Sequence, residues 1–138
     1  MNSTITPQVD ANGYRWPGKP IPLSKPPRME LEPVNAEQVR QAALFLSHCT
    51  PTKTVAIFSY GLKHTIESAM GTYIANGACI QAALDVGIRV EPAHHFYSIF
   101  DNGNRRQYDP TPLNGFVFVS RKSVRDTVRM FRERRAKP

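Results

Sequence analysis

The residues with the clearest chemistry are the arginines near the C-terminal end of the chain. Eight basic residues lie from Arg121 onward and only Asp126 and Glu133 oppose them, so this segment carries +6 of a net charge of +7. A guanidinium group suits phosphate because its planar donors can form two hydrogen bonds to one anion. The sequence therefore predicts an anion-binding segment, for which nucleic acid is the usual partner.

Helical spacing places these side chains on one side of the segment. At 100° per residue, Arg121 and three further arginines fall within about 80° of one another, beside an apolar flank that would pack on the protein. The apolar flank consists of Val124, Val128 and Phe131. The predicted nucleic-acid-binding residues are Arg121, Lys122, Arg125, Arg129, Arg132 and Arg135, helped by Arg105 and Arg106. Two alternatives to nucleic-acid binding remain for this segment: it is a solvated helix end, or it binds an acidic protein.

A second polar cluster occupies one face of an earlier predicted helix. Tyr60, Lys63, His64 and Glu67 follow the i, i+3, i+4, i+7 spacing. Lys63 and Glu67 could orient His64 for proton transfer, but no nucleophile, metal or oxyanion group accompanies it. We therefore expect a non-enzymatic protein without a cofactor, an enzyme using His64 being the weaker alternative. The predicted recognition surface consists of Tyr60, Lys63, His64, Glu67, Tyr73 and Asn76.

Metal binding is not predicted. The histidine pair His94-His95 and the cysteines Cys49 and Cys79 fit none of the usual ligand spacings. Two cysteines on predicted helices are expected to be buried and reduced, which favours a cytoplasmic protein. No apolar run approaches the roughly 18 residues of a membrane span, and the first ten residues lack the pattern of a secretory signal.

Part of the chain resembles a group of small bacterial proteins of plasmids, phages and other mobile elements. The shared pattern is carried by Ser59-Tyr-Gly-Leu-Lys-His64, Glu67, Tyr73-Ile-Ala-Asn-Gly77, Ile80-Gln-Ala-Ala83 and Gly87. The resemblance spans about residues 50–90 with residues 116–120, and no activity comes with it. It implies a mobile-element context, in which small basic proteins are DNA-binding accessory factors or inhibitors of host defence. It also implies that most of the second cluster shares one surface or core.

The N-terminal segment has a different composition. Seven of the twelve prolines fall in the first 33 residues, and each removes a backbone donor and favours extended conformations. Residues 1–34 are therefore predicted to form an extended arm. Such an arm either packs on its own domain or binds a partner, and both interpretations stay open.

Residues 35–138 are predicted to form one α+β domain with four helices. The first helix lies between its N-cap Asn35 and the pair Thr50-Pro51. The second is predicted at 53–70 and ends at Gly71, although residues 55–58 alone would fit a short strand. The third, at 78–86, ends at Gly87, and the basic helix at 121–136 is capped by Ser120.

Strand candidates at 88–90, 95–100 and 116–119 predict a small antiparallel sheet of two or three strands. Three helices followed by strands are also typical of a winged helix-turn-helix. Its recognition helix would be the third, with Ile80, Ala83 and Leu84 facing inward. The outward residues would be Ala78, Gln81, Ala82 and Asp85, a poor set for reading DNA because none is basic.

The sequence thus favours a non-enzymatic nucleic-acid-binding protein, with DNA favoured over RNA. The alternative is an inhibitor or adaptor that binds a bacterial protein or defence complex through the basic helix and the arm. We expect no membrane association.

Overall fold

A computed structural model describes residues 8–15, 32–92 and 114–136, which form four helices and two small antiparallel sheets. The elements are β1 (Gln8–Asp10), β2 (Gly13–Arg15), α1 (Ala36–Leu46), β3 (Ile57–Phe58), α2 (Ser59–Met70), α3 (Asn76–Asp85), β4 (Val90–Pro92), β5 (Gly115–Val117) and α4 (Arg121–Ala136). This architecture confirms the predicted α+β class with four helices. The strand candidate at 95–100 lies outside the described residues.

The three-stranded sheet has the order β3-β5-β4, with both pairs antiparallel. Val117 at its centre pairs with Ile57 on one side and with Val90 on the other. The first strand after α1 therefore pairs with the last, and α2 and α3 lie between them in the chain.

Helix α3 lies at the centre of the fold. It packs against α1, α2, the strands β4 and β5 and the hairpin β1–β2. Ala78 and Ala82, expected to face outward, are fully buried, whereas Leu84, expected to face inward, is 41% exposed. The helical-wheel prediction was correct for Ile80, Ala83 and Asp85. It was wrong for the two alanines because alanine suits both a surface and a tightly packed interface, so it does not mark which side is covered.

The hairpin β1–β2 packs directly on the start of α3. Tyr14 is buried against Ile80, and the Gly77 amide donates a 3.1 Å hydrogen bond to the Ala11 carbonyl. A side chain at Gly77 would put its Cβ 1.5 Å from the Asp10 carbonyl oxygen. Residues 8–15 of the predicted arm are thus part of the folded unit, and residues 1–7 and 16–31 lie outside the described part.

The predicted second helix was too long at its start. Residues 57 and 58 form β3, and α2 begins only at Ser59. The pairing of Ile57 and Phe58 with β5 supplies backbone hydrogen bonds that a helix would otherwise have to provide. Strand β4 lies two residues after its predicted position and β5 ends two residues before its predicted end.

The helix ends follow local rules and agree with the sequence. Asn35 accepts a side-chain hydrogen bond from the Gln38 amide, and Ser120 accepts one from the Ser123 amide. Gly71 directly follows α2 and Gly87 lies two residues after the end of α3, with positive φ values of 71° and 83°. Gln38 lies on α1, but its side chain caps α3. Its Oε1 accepts a 2.8 Å hydrogen bond from the amide of Ala75, the residue just before α3.

Helix α4 is fixed to the core by one face. Phe131 stacks on Phe45 with ring centroids 5.9 Å apart, and Val124 is buried nearby in the same core. Thr127, which the sequence did not single out, is also buried on this face, and its hydroxyl donates to the Ser123 carbonyl. Val128 is only half-buried, contrary to the prediction, which leaves it at the border between core and solvent.

Both cysteines are buried and free. Cys79 lies on α3, but Cys49 lies after the end of α1 and not within a helix as predicted. Burial raises the pKa of the Cys79 thiol to about 12, against the opposing effect of the Lys63 ammonium. Burial also raises the pKa of the Cys49 thiol, while hydrogen bonds with Thr127 and Ser123 lower it in part.

Candidate nucleic-acid interface

A groove of about 630 Å³ runs between α2 and α4 and reaches β3. Its described lining is Ile57, Leu62, Thr65, Arg121, Val124, Arg125, Val128, Arg129, Arg132 and Glu133. The volume falls within the range of roughly 300–1,000 Å³ that small-ligand sites occupy. The four arginines that the helical wheel placed together thus line one concavity.

The charge of the groove is strongly positive. Four arginines line it, and Glu133 is the one acidic residue in its described lining. Arg125 and Arg129 are exposed and form no hydrogen bond or ion pair with any residue that the structure describes. Their guanidinium donors are therefore available to an anion without the loss of an existing contact.

The other two arginines are held in place by α2 and the segment before it. Arg132 donates a 2.5 Å hydrogen bond to the Ser68 hydroxyl, and an Nη of Arg121 lies 3.5 Å from the Ala56 carbonyl. Each bond uses one nitrogen of a group with five N–H donors, so both residues keep donors for a ligand. These contacts place positive charge at both ends of the groove.

The bottom of the groove is apolar. Ile57, Leu62, Val124 and Val128 supply the apolar part of its lining. Leu62 and Val124 belong to the buried core, whereas Ile57 and Val128 are half-buried beside it. A ligand that fits this groove combines negative charge with flat or apolar surface, as a nucleotide does.

The structure separates Arg135 and Lys122 from the groove. Arg135 Nη1 lies 3.2 and 2.9 Å from the carbonyls of Ser68 and Ala69, and so caps the C-terminal end of α2. It also lies where a side chain at Gly71 would be. Lys122 is exposed, pairs with Asp126 at 3.4 Å and does not line the groove. Arg105 and Arg106 lie outside the described residues.

The second polar cluster comes together around Lys63. Its side chain is only 8% exposed, and Nζ lies 2.9 Å from Glu67 Oε1. The ammonium lies 4.8 Å from the ring centroid of Tyr73 and 5.4 Å from that of Tyr60. His64 contributes its Nδ1, 3.1 Å from Glu67 Oε2, and its ring meets Tyr60 edge-on.

Glu67 holds this cluster together by its carboxylate. Burial raises the pKa of Glu67, but hydrogen bonds from Lys63, the Ile74 amide and His64 outweigh it and leave the pKa below its ordinary value. The carboxylate therefore stays charged at neutral pH, and both of its oxygens already have hydrogen-bond partners within the protein. Asn76 is bound elsewhere, because its Nδ2 donates to the Asn12 carbonyl and to Asn114 Oδ1.

Beside this cluster lies a shallow surface depression of about 450 Å³. Its described lining is His64, Glu67, Ser68, Gly71, Thr72 and Tyr73. Among the described residues, neither the Ser68 nor the Thr72 hydroxyl donates a hydrogen bond to His64, whose ring is hydrogen-bonded to Glu67, so no base activates a nucleophile here. The cluster is therefore an ion pair of Lys63 and Glu67 whose ammonium group lies between the rings of Tyr60 and Tyr73.

Metal ligands do not gather in the part of the chain that the structure describes, where no three His, Cys, Asp or Glu side chains could hold one ion. The histidine pair at 94 and 95 lies outside that part. None of the described helices is long and apolar enough to cross a membrane.

Sequence reasoning missed the α2 and β3 side of the groove. The sequence did not single out Leu62, Thr65 or Ser68 as site residues. No local signal joins them to α4, because they lie some 60 residues away in the chain.

Comparison with protein families, characterised proteins and solved structures finds no match for this chain.

Proposed function

We propose that the protein binds nucleic acid without catalysis, through the arginine-lined groove between α2 and α4. The observation that carries this proposal is the pair of exposed guanidinium groups of Arg125 and Arg129, which form no hydrogen bond or ion pair with the described residues. Arg121 and Arg132 flank them in the same groove. Unpaired arginines repel one another, so their alignment is most easily explained by a multivalent anion.

The length of the arginine row fits a polymer better than a single small anion. Residues 121 to 132 of one helix span about 16 Å at 1.5 Å per residue. One duplex strand carries a phosphate about every 3.4 Å of helix axis, and an extended single strand has a wider spacing, so in either form the row can contact several successive phosphates. The mobile-element resemblance of the sequence agrees with such a role and remains a prediction.

The polar cluster around Lys63 does not support the enzymatic alternative. Lys63, Glu67 and His64 satisfy one another at 2.9 and 3.1 Å, and among the described residues no hydroxyl or thiol is hydrogen-bonded to His64. We infer that the cluster stabilises the junction of α2 and α3.

The test is a binding titration with fluorescently labelled single-stranded and duplex DNA at low salt. The double variant Arg125→Gln, Arg129→Gln removes the two unpaired charges and is expected to weaken binding by about 100-fold, at 1.5 kcal/mol for each charged hydrogen-bonding group. The matched control Lys122→Gln, Arg134→Gln removes the same net charge from the same helix, outside the groove. It is expected to weaken binding only a few-fold through long-range electrostatics.

Wild-type protein that binds neither DNA form would refute the proposal. Equal losses in the two double variants would also contradict it, since the groove would then have no special role. Binding of an acidic protein from nuclease-treated lysate, in the absence of DNA binding, would favour the adaptor alternative.

A further inference from the structure

We propose that the groove takes a single strand, and that Phe58 and Phe116 form a platform at its β3 end on which a base stacks. This inference rests on the proposed function, because it names the form of nucleic acid that the same site binds. It comes from a pair of aromatic side chains that the core does not use.

Phe58 and Phe116 lie directly opposite each other in the β3–β5 ladder and therefore point to the same face of the sheet. Their ring centroids are 4.7 Å apart, with an angle of 37° between the rings. Phe58 is 46% exposed although it is a large apolar residue. The neighbouring pair Ile57 and Val117 faces the core, so burial of the sheet does not require the two phenylalanines.

The platform lies beside the groove, on the opposite face of strand β3. Ile57 lines the groove, and Phe58 is the next residue of the same strand. Strand β3 is at the edge of its sheet, so a ligand can pass around it from one face to the other. Arg121 stands at this end, next to the Ala56 carbonyl, where it can hold the phosphate between a nucleotide in the groove and one on the platform.

The remaining surface does not suit the reading of a duplex. Helix α3, which a winged helix would insert into the major groove, exposes mainly Leu84 and Asp85, and neither donates to a base edge or a phosphate. A duplex could touch the groove arginines with its phosphates, but its stacked bases could not reach the apolar bottom or the phenylalanine rings. A single strand can contact the arginines, the apolar bottom and the phenylalanine rings together. Proteins that bind unpaired strands combine positive charge with aromatic stacking in the same way.

The test compares a single-stranded oligonucleotide of about 12 nucleotides, within the usual site sizes, with the duplex of the same sequence. The variants Phe58→Ala and Phe116→Ala are each expected to weaken single-strand binding about tenfold, towards the low end of the range for one stacked base, and to leave duplex binding unchanged. Phe58→Trp keeps an aromatic ring at this position and should bind the single strand as tightly as the wild type does. Leu44→Ala removes another exposed large apolar side chain, on α1 and outside the groove, and should leave both affinities unchanged. A thermal unfolding curve verifies that each variant is folded.

Two results would overturn the inference while leaving the proposed function intact. One is duplex binding as tight as single-strand binding, and the other is a neutral effect of both phenylalanine variants when Arg125→Gln, Arg129→Gln weakens binding. Absence of binding to either form would instead remove the proposed function itself. A tenfold loss of affinity that is confined to the single strand supports both the proposed function and the stacking platform.

Discussion

Substitution of Gly77 by alanine perturbs the contact between α3 and the N-terminal hairpin and nothing else. Gly77 lies in the first turn of α3, and its backbone is helical, so alanine itself would favour the helix by about 1 kcal/mol. The added Cβ would lie 1.5 Å from the Asp10 carbonyl oxygen and 3.1 Å from the Ala11 carbonyl carbon. Both obstacles are backbone atoms, so rotation of a side chain cannot relieve the clash, and the hairpin must move away.

The cost follows from what the hairpin loses. Withdrawal breaks the 3.1 Å bond from the Gly77 amide to Ala11 and the 3.0 Å bond from Asn76 to Asn12, at about 1 kcal/mol each. It also exposes much of Tyr14, which is 4% exposed and contributes about 2 kcal/mol through burial. After allowance for the helix propensity of alanine, the free energy of unfolding should fall by about 3 kcal/mol.

Urea unfolding followed by circular dichroism measures this change, and limited proteolysis reports whether residues 8–15 become accessible. Gly61→Ala is the matched control, because Gly61 lies in the first turn of α2, where an added Cβ would meet no neighbouring atom within 4 Å. That variant should be more stable than wild type by about 0.5 kcal/mol. An unfolding free energy of Gly77→Ala equal to that of wild type would refute the packing described for the hairpin.

Three further predictions concern buried groups. Neither Cys49 nor Cys79 should react with a thiol reagent in the native protein, and both should react after unfolding, because burial raises their pKa values; fast native labelling would contradict this. Because the pKa of Glu67 lies below its usual 4.5, the unfolded chain binds that proton more readily, so stability should fall as pH drops below about 4.5. Glu67→Gln should lessen that fall in urea titrations at different pH, and an unchanged pH profile would argue against the ion pair. Lys63→Met should cost about 2 kcal/mol by leaving the carboxylate without its main partner, whereas His64→Ala, at a half-exposed position, should cost less than about 0.5 kcal/mol.

The parts of the fold that sequence reasoning predicted correctly depend on neighbours in the chain. The caps at Asn35 and Ser120 and the terminating glycines Gly71 and Gly87 work through bonds and φ angles within a few residues. The arginine row of α4 follows from helical spacing alone. These features need no knowledge of what packs against the helix.

The errors occurred where distant segments decide the structure. Ile57 and Phe58 form a strand because β5, nearly 60 residues later, pairs with them. Ala78 and Ala82 are buried because the N-terminal hairpin and α1 cover α3 from two sides. The groove itself could not be predicted, because α4 supplies its charge whereas α2 and β3 supply much of its apolar bottom.

The central claim is that the groove arginines neutralise phosphates, and the salt dependence of binding measures this most directly. For a single strand the affinity falls with a log–log slope of about 0.7 per neutralised phosphate, so four arginines predict a slope near 2.8. Arg125→Gln, Arg129→Gln should lower the slope to about 1.4, while Lys122→Gln, Arg134→Gln should leave it near the wild-type value. A slope that both double variants lower equally, or that neither changes, would contradict the account.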